Sequence, residues 1–203
     1  MPTREGKDDG LTILNMVSVQ GYSSTQGKAA LVIVDMQIGL VQLIPDEVRT
    51  SVLSRISTLL VKARSSGLPV IFIQHDGPEG HPLETRTKGW EIHPSLKPAE
   101  GEQVIRKRES DSFFKTPLQQ ELRKNGITHI VIVGGMTEYC VDTTCRRATS
   151  LGYDVTLVAD AHLTRDNEVL AAKAIIAHHN LVLNDFGAGE HVIRVKHADQ
   201  IVF

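Results

Sequence analysis

The chain has 203 residues, room for one domain around a single sizeable core. Lysine and arginine number 22 against 24 acidic residues, a net charge of -2 with no basic run, so a nucleic-acid or anionic-membrane partner has no electrostatic basis. No apolar run nears the roughly 20 residues of a spanning helix, and two cysteines, Cys140 and Cys145, fit neither C-x-x-C redox spacing nor a disulfide framework. Free thiols, a cytoplasmic location and a small-molecule substrate are therefore expected.

Residues 1–28 are polar and patternless apart from Leu11 to Val19, a stretch too polar for a signal sequence. They read as an N-terminal arm, loosely attached and packed on a neighbouring subunit, ahead of one domain over 29–203. Ala29 to Val34 is a continuous apolar run, as a strand buried on both faces requires. Pro45-Asp46 opens a helix whose Val48, Val52, Ile56, Leu59, Leu60 and Ala63 form one stripe, with Gly67 as its αL cap and Pro69 beyond. Pro69 to Ile73 is a second strand. A long loop follows over 75–101, a length that usually carries function.

Gln103 to Lys107 makes a third strand. Thr116-Pro117-Leu118-Gln119 predicts a capping box with proline at the first helical position, and that helix stops near Asn125-Gly126. His129 to Val133 is the fourth strand, ending in Gly134-Gly135. The pattern then predicts a helix over 140–151, a strand over 154–159, a helix over 166–179 and a sixth strand over 191–195. This alternation predicts an α/β protein, a three-layer doubly wound sandwich on a six-stranded parallel sheet. Ligands bind such sheets at the carboxyl ends of the strands. Asp35, Lys107 and Cys140 all fall there.

Each of the three is ambiguous by itself. Asp35 ends a buried strand, where a carboxylate must be desolvated or paired; a helix cap or structural ion pair serves as well as catalysis. Lys107 lies in Arg106-Lys107-Arg108, where one side chain at most faces inward, and taken alone it is better explained as a surface lysine. Cys140 follows a Gly-Gly turn and opens a helix, where the macrodipole lowers a thiol's pKa and free N–H groups can hold an oxyanion. Cys145 lies on the apolar stripe and reads as inert.

The stretch Ala29 to Gln37, with Asp35-Met36-Gln37, resembles the D-x-Q opening of the isochorismatase-like cysteine hydrolases. Lys107 to Leu118 is similar to their K-x(5)-F-x-x-T-x-L segment, through Phe113 and Thr116. Gly134 to Thr144 is similar to their G-x-x-T-x-x-C-V-x-x-T segment, and Gly152 to Val155 and Asp160-Ala161 match the continuation. The resemblance runs from about residue 29 to 180. It implies a Rossmann-like hydrolase fold, a Cys140-Asp35-Lys107 triad, a cis peptide between Gly135 and Met136, and an oxyanion hole from the N–H groups of Met136 and Cys140. It further implies C–N bond hydrolysis through a thioester, with no cofactor, in a homo-oligomer (dimer or tetramer).

Gln37 and Phe113 in those motifs, and His75 and Trp90 in the long loop with His81 and His93, are candidates for substrate binding. Trp90 can equally anchor the loop. Glu138 can receive a cationic substrate or cap the helix; the run from Thr137 to Ala148 is similar to streptothricin hydrolases, which open a lactam in a cationic antibiotic. Two alternatives remain. True isochorismatases cleave a vinyl ether with glycine in the nucleophile slot, and a non-catalytic member would act as a binding or scaffold domain. Nicotinamidases of the family hold a metal through D-x-H after the first helix; neither Arg64-Ser65-Ser66 nor Gln74-His75-Asp76 supplies it, so no metal is expected.

Overall fold

The computed structural model describes residues 28–203; the arm expected over 1–28 lies outside them apart from Lys28, which opens the first strand. The strands are β1 (Lys28–Val34), β2 (Val70–His75), β3 (Gln103–Lys107), β4 (Ile127–Gly135), β5 (Asp154–Leu163), β6 (Gly187–Ala188) and β7 (His191–Lys196). They form one sheet in the order β3-β2-β1-β4-β5-β7-β6. The six long strands run parallel, as the buried apolar runs require, and the two-residue β6 adds an antiparallel edge to β7.

Alternation along each strand sends side chains to two cores. Leu31, Ile33, Phe72, Val131 and Val133 enter one, while Ala30, Val32, Val34, Ile71, Ile130 and Ile132 enter the other. Helix α2 (Asp46–Ser65) covers the first face through Val52, Ile56, Leu59, Leu60 and Ala63. Val48, placed on that stripe by its spacing, is 40% exposed. Helices α3 (Leu118–Lys124) and α4 (Asp142–Ser150) cover the second face through Leu118, Leu122, Cys145 and Ala148. A four-residue helix, α1 (Ile38–Val41), precedes α2, and α5 (Ala172–Leu183) leans on β5, β7 and α4. No helix among the described residues is long and apolar enough to cross a membrane.

Three boundaries differ from expectation for identifiable reasons. Pro117 is the cap of α3 rather than its first residue, and it makes no side-chain cap. The Thr116 hydroxyl donates to Ser112 O at 2.6 Å and receives Leu118 N at 3.3 Å, which fastens the preceding loop instead of completing a capping box. The helix expected from Asp166 starts at Ala172. Asp166 Oδ1 takes the Ala172 N–H at 2.8 Å, and Asn167 Oδ1 takes those of Val169 and Leu170, so these side chains hold 166–171 out of the helix. Residues 137–141 form a π-turn, with Val141 N bonded five residues back to Met136 O, before α4 begins. Cys140 therefore lies inside a wide turn, not at the first residue of an α-helix.

Candidate active site

The chain order reverses direction between β1 and β4, and the cleft opens there, at the carboxyl ends of the strands. Asp35 stops β1 by adopting φ 49°, a left-handed conformation aspartate tolerates. At the same level, Gly134 on β4 has φ 124°, and a Cβ there would meet Val34 O at 2.1 Å. Glycine thus lets β4 pass against the end of β1 and carry the turn of Cys140 alongside Asp35. The next peptide, Gly135–Met136, is cis.

Lys107 closes β3, with its side chain fully buried. Its ammonium stands 2.7 Å from Asp35 Oδ2, donates to Cys140 Sγ at 3.1 Å and to Glu109 O at 2.9 Å. The Asp35 contact is an ion pair without aligned hydrogen-bond geometry, and Oδ1 has no partner among the described residues. Ser112, five residues beyond Lys107, bonds Thr144 of α4 through their hydroxyls at 2.8 Å, which ties the lysine segment to the cysteine helix.

The electrostatics follow from burial and sign. Burial works against the Lys107 ammonium, but Asp35 and then Cys140 outweigh it and hold its pKa above the ordinary value. Cys140 is pushed up to about 12, first by burial and next by the Asp35 carboxylate, with Lys107 pulling the other way. The helix-start argument had the thiol depressed; the structure reverses that. The raised pKa keeps Cys140 a thiol at neutral pH. Cys145 is wholly buried, and burial pushes its thiol up as well.

The cleft measures about 1170 Å³. Asp35, Cys140 and Met136 lie along it with His75 and His81 of the long loop, and Leu40, Leu43 and Leu83 supply an apolar side. Glu138 also lines it, with Oε2 closed to solvent and unpartnered among the described residues.

Gln37, Trp90 and Phe113, candidates for substrate contact, do not line this cleft. Gln37 is fully buried and brackets the backbone of His75, donating to His75 O at 2.9 Å and accepting from His75 N at 2.8 Å. The Trp90 indole donates to Asp76 at 2.8 Å beneath the Arg106 guanidinium, so it anchors the loop. Phe113 stacks on Tyr153 in the second core, and His93 bonds Ser95. The wall over 165–169 was not legible in the sequence, because the pattern from Asp166 onward resembled a helix; the capping residues Asp166 and Asn167 were the available signal. Sequence reasoning also missed His162, buried on β5, which bridges Thr137 of the Cys140 turn and Asn180 of α5 at 2.9 Å each.

A metal has little to attract it. Asp35, His75 and Cys140 offer donor atoms within 4.8 Å of one another, but the Lys107 ammonium already sits against two of them. A cation there would face it at close range. His178 and His179 stack edge-on, and His179 Nδ1 bonds Ile175 O at 2.8 Å, within their own helix.

The family model for the isochorismatase domain matches residues 29–182. This chain belongs to the isochorismatase family. It is similar to a streptothricin hydrolase of Streptomyces noursei, 39% identical over 140 residues that cover 68% of this chain and 50% of that protein. The chain spans about half the length of the curated streptothricin hydrolases it matches, 50% and 55%. Among solved structures, an isochorismatase of Pseudomonas putida superposes with a TM-score of 0.77 at 30% identity, covering 86% of this chain and 90% of that one. An N-carbamoylsarcosine amidase of Thermoplasma acidophilum gives 0.71 at 26% identity, covering 86% and 98%. The isochorismatase-family fold carries six parallel strands here, with β6 as a seventh at the edge.

Proposed function

We propose that this isochorismatase-family protein is a cysteine hydrolase that cleaves a C–N bond of a small amide, lactam or ureide through a thioester on Cys140. The observation that carries this reading is the single Lys107 ammonium shared by Asp35 and Cys140 on the floor of the cleft. The similarity to a streptothricin hydrolase and an N-carbamoylsarcosine amidase supports the C–N class. A vinyl ether gives a thiolate no carbonyl carbon to attack, whereas an amide, lactam or ureide does.

In this mechanism Asp35 accepts the thiol proton as sulfur attacks the carbonyl carbon, and Lys107 offsets the charge that moves between them. The N–H groups of Met136 and Cys140 receive the oxyanion. The protonated Asp35 then hands its proton to the departing nitrogen, the C–N bond breaks, and the acyl group stays on sulfur. Water cleaves the thioester and restores the thiol. Asp35 is suited to the exchange because Oδ2 is held by Lys107 while Oδ1 is unengaged.

Glu138 supports a cationic substrate: a carboxylate oxygen shielded from water and lacking a donor gains most from an ammonium or guanidinium. A homo-oligomer, dimer or tetramer, belongs to the same proposal and is decided by analytical ultracentrifugation. The central test is amine release from a panel of amides, lactams and ureides, with acid quenching to trap an acyl group on Cys140. Turnover by Cys140→Ala, or isochorismate consumption in place of amine release, sinks the reading.

A further inference from the structure

Among the described residues, His75 groups with Asp35 and Cys140 and has no part in the mechanism above. It ends β2 and pairs in register with Lys107, so two neighbouring strand ends deliver them side by side. A ring nitrogen of His75, an Asp35 oxygen and Cys140 Sγ all lie within 4.8 Å of one another. The ring lines the cleft, its Nδ1 is closed to solvent and unpartnered, and no described residue bonds either ring nitrogen.

The backbone around this ring is held with unusual thoroughness for a loop start. Gln37 clamps both its N–H and its C=O, and Asp76 N bonds Lys107 O at 2.7 Å. A fully buried glutamine that fastens this strand end to the backbone of Trp90 as well, at 2.8 Å, fixes where the His75 side chain starts.

We infer that His75 is a second catalytic base, which takes the proton of the water that cleaves the Cys140 thioester. This rests on the cysteine-hydrolase reading and divides its two half-reactions between two bases. Asp35 carries the thiol proton to the leaving nitrogen. In the second half, the water oxygen bonds the acyl carbon and its proton passes to the imidazole. The C–S bond breaks, sulfur leaves as thiolate beside Lys107, and the imidazolium returns the proton to it. The products are a carboxylic acid and the original thiol, and no further reactant is needed.

The surroundings keep the imidazole in the required neutral form. Burial and then the Lys107 ammonium lower its pKa, and His81 works in the same direction; Asp35 and Asp76 oppose them without reversing the result. His81, whose ring centre is 5.7 Å away, is committed through Nδ1 to Leu83 N and does not compete for the same water.

The test uses p-nitrophenyl acetate as a generic acyl donor, so no natural substrate is needed. In wild-type protein the phenolate burst reports acetylation of Cys140 and the steady rate reports deacetylation. In His75→Asn and His75→Gln, the burst persists while the steady rate falls by about 10²-fold or more, the scale of a lost general base, and acetyl-Cys140 accumulates by mass spectrometry. The wild-type steady rate also declines as pH falls through the lowered imidazole pKa, and this limb disappears in both variants. Deacetylation at the wild-type rate in both variants, or an equal loss in burst and steady rates, overturns the assignment to His75. A wild-type protein that takes no acetyl group on Cys140 instead overturns the hydrolase reading, so the two failures are distinguishable.

Discussion

The Thr137 hydroxyl and His162 Nδ1 stand 2.9 Å apart with both side chains closed to solvent. The proton positions follow from the far end of the chain of bonds. Asn180 Nδ2 donates to Ala159 O at 3.0 Å, which turns its Oδ1 toward His162 Nε2. Nε2 must then carry the proton, and Nδ1 accepts from Thr137. One neutral imidazole thereby joins β5, α5 and the turn that presents Cys140.

Acid should loosen this joint. Burial, the largest influence on His162, lowers its pKa to about 4, below the ordinary 6.5. The unfolded chain thus takes the proton first, and stability that is complete above pH 6.5 is lost as pH falls toward 4. The loss is on the order of 3 kcal/mol, at about 1.4 kcal/mol per unit. Urea denaturation across that range shows the slope in wild-type protein. In His162→Gln the slope is smaller by one proton's contribution; an unchanged slope sinks the claim.

Alkylation tests the resting state of the nucleophile. Because the Asp35 charge helps hold the Cys140 thiol high, Asp35→Asn lowers the thiol pKa and speeds iodoacetamide labelling at neutral pH. Hydrolytic turnover in the same variant falls by about 10²–10⁴-fold. Cys145 stays unlabelled until the protein unfolds. Slower labelling of Asp35→Asn than of wild type contradicts this account of the thiol.

The buried ion pair has an asymmetric cost. Lys107→Met leaves Asp35 charged and unpaired, which costs about 3–5 kcal/mol of stability. Adding Asp35→Asn removes the stranded charge and restores a large part. Denaturation midpoints of the two single variants and the double variant measure the coupling, and strictly additive losses argue against a direct pair.

Specificity is tested at Glu138. Removing its charge in Glu138→Gln raises KM for cationic amides by about tenfold or more, the scale of a hydrogen bond to a charged group. Neutral amides of the same shape keep their KM. Equal effects on both series assign Glu138 to packing of the turn.

Much of this architecture was legible before any coordinates. The apolar runs of β1, β2 and β4 and the stripe of α2 carry their burial in plain view, because a strand covered on both faces cannot tolerate polar residues. Asp35, Lys107 and Cys140 were placed at one end of the sheet by strand-end position alone. Their mutual distances and the sign of the thiol shift were not accessible, since both depend on how closely β4 passes β1. Residues 166–171 were misassigned because Asp166 and Asn167 compete for backbone N–H groups, a contest local pattern does not decide. Gln37 and Trp90 were marked for ligand contact, yet they hold the loop that presents His75.

The ends of β1 and β3 and the turn beyond β4 supply Asp35, Lys107 and Cys140, while other segments outside the parallel ladder supply the cleft walls: 36–43, the loop near His81, and 165–169. Apart from Glu138, which shares the turn of Cys140, the cleft walls and the reacting groups come from separate stretches of chain. A wall can be exchanged or lengthened without shifting the ammonium that joins Asp35 to Cys140. The scaffold is therefore ready for retargeting: transplanting 165–169 from a relative with other preferences should move its choice of substrate and leave its chemistry in place.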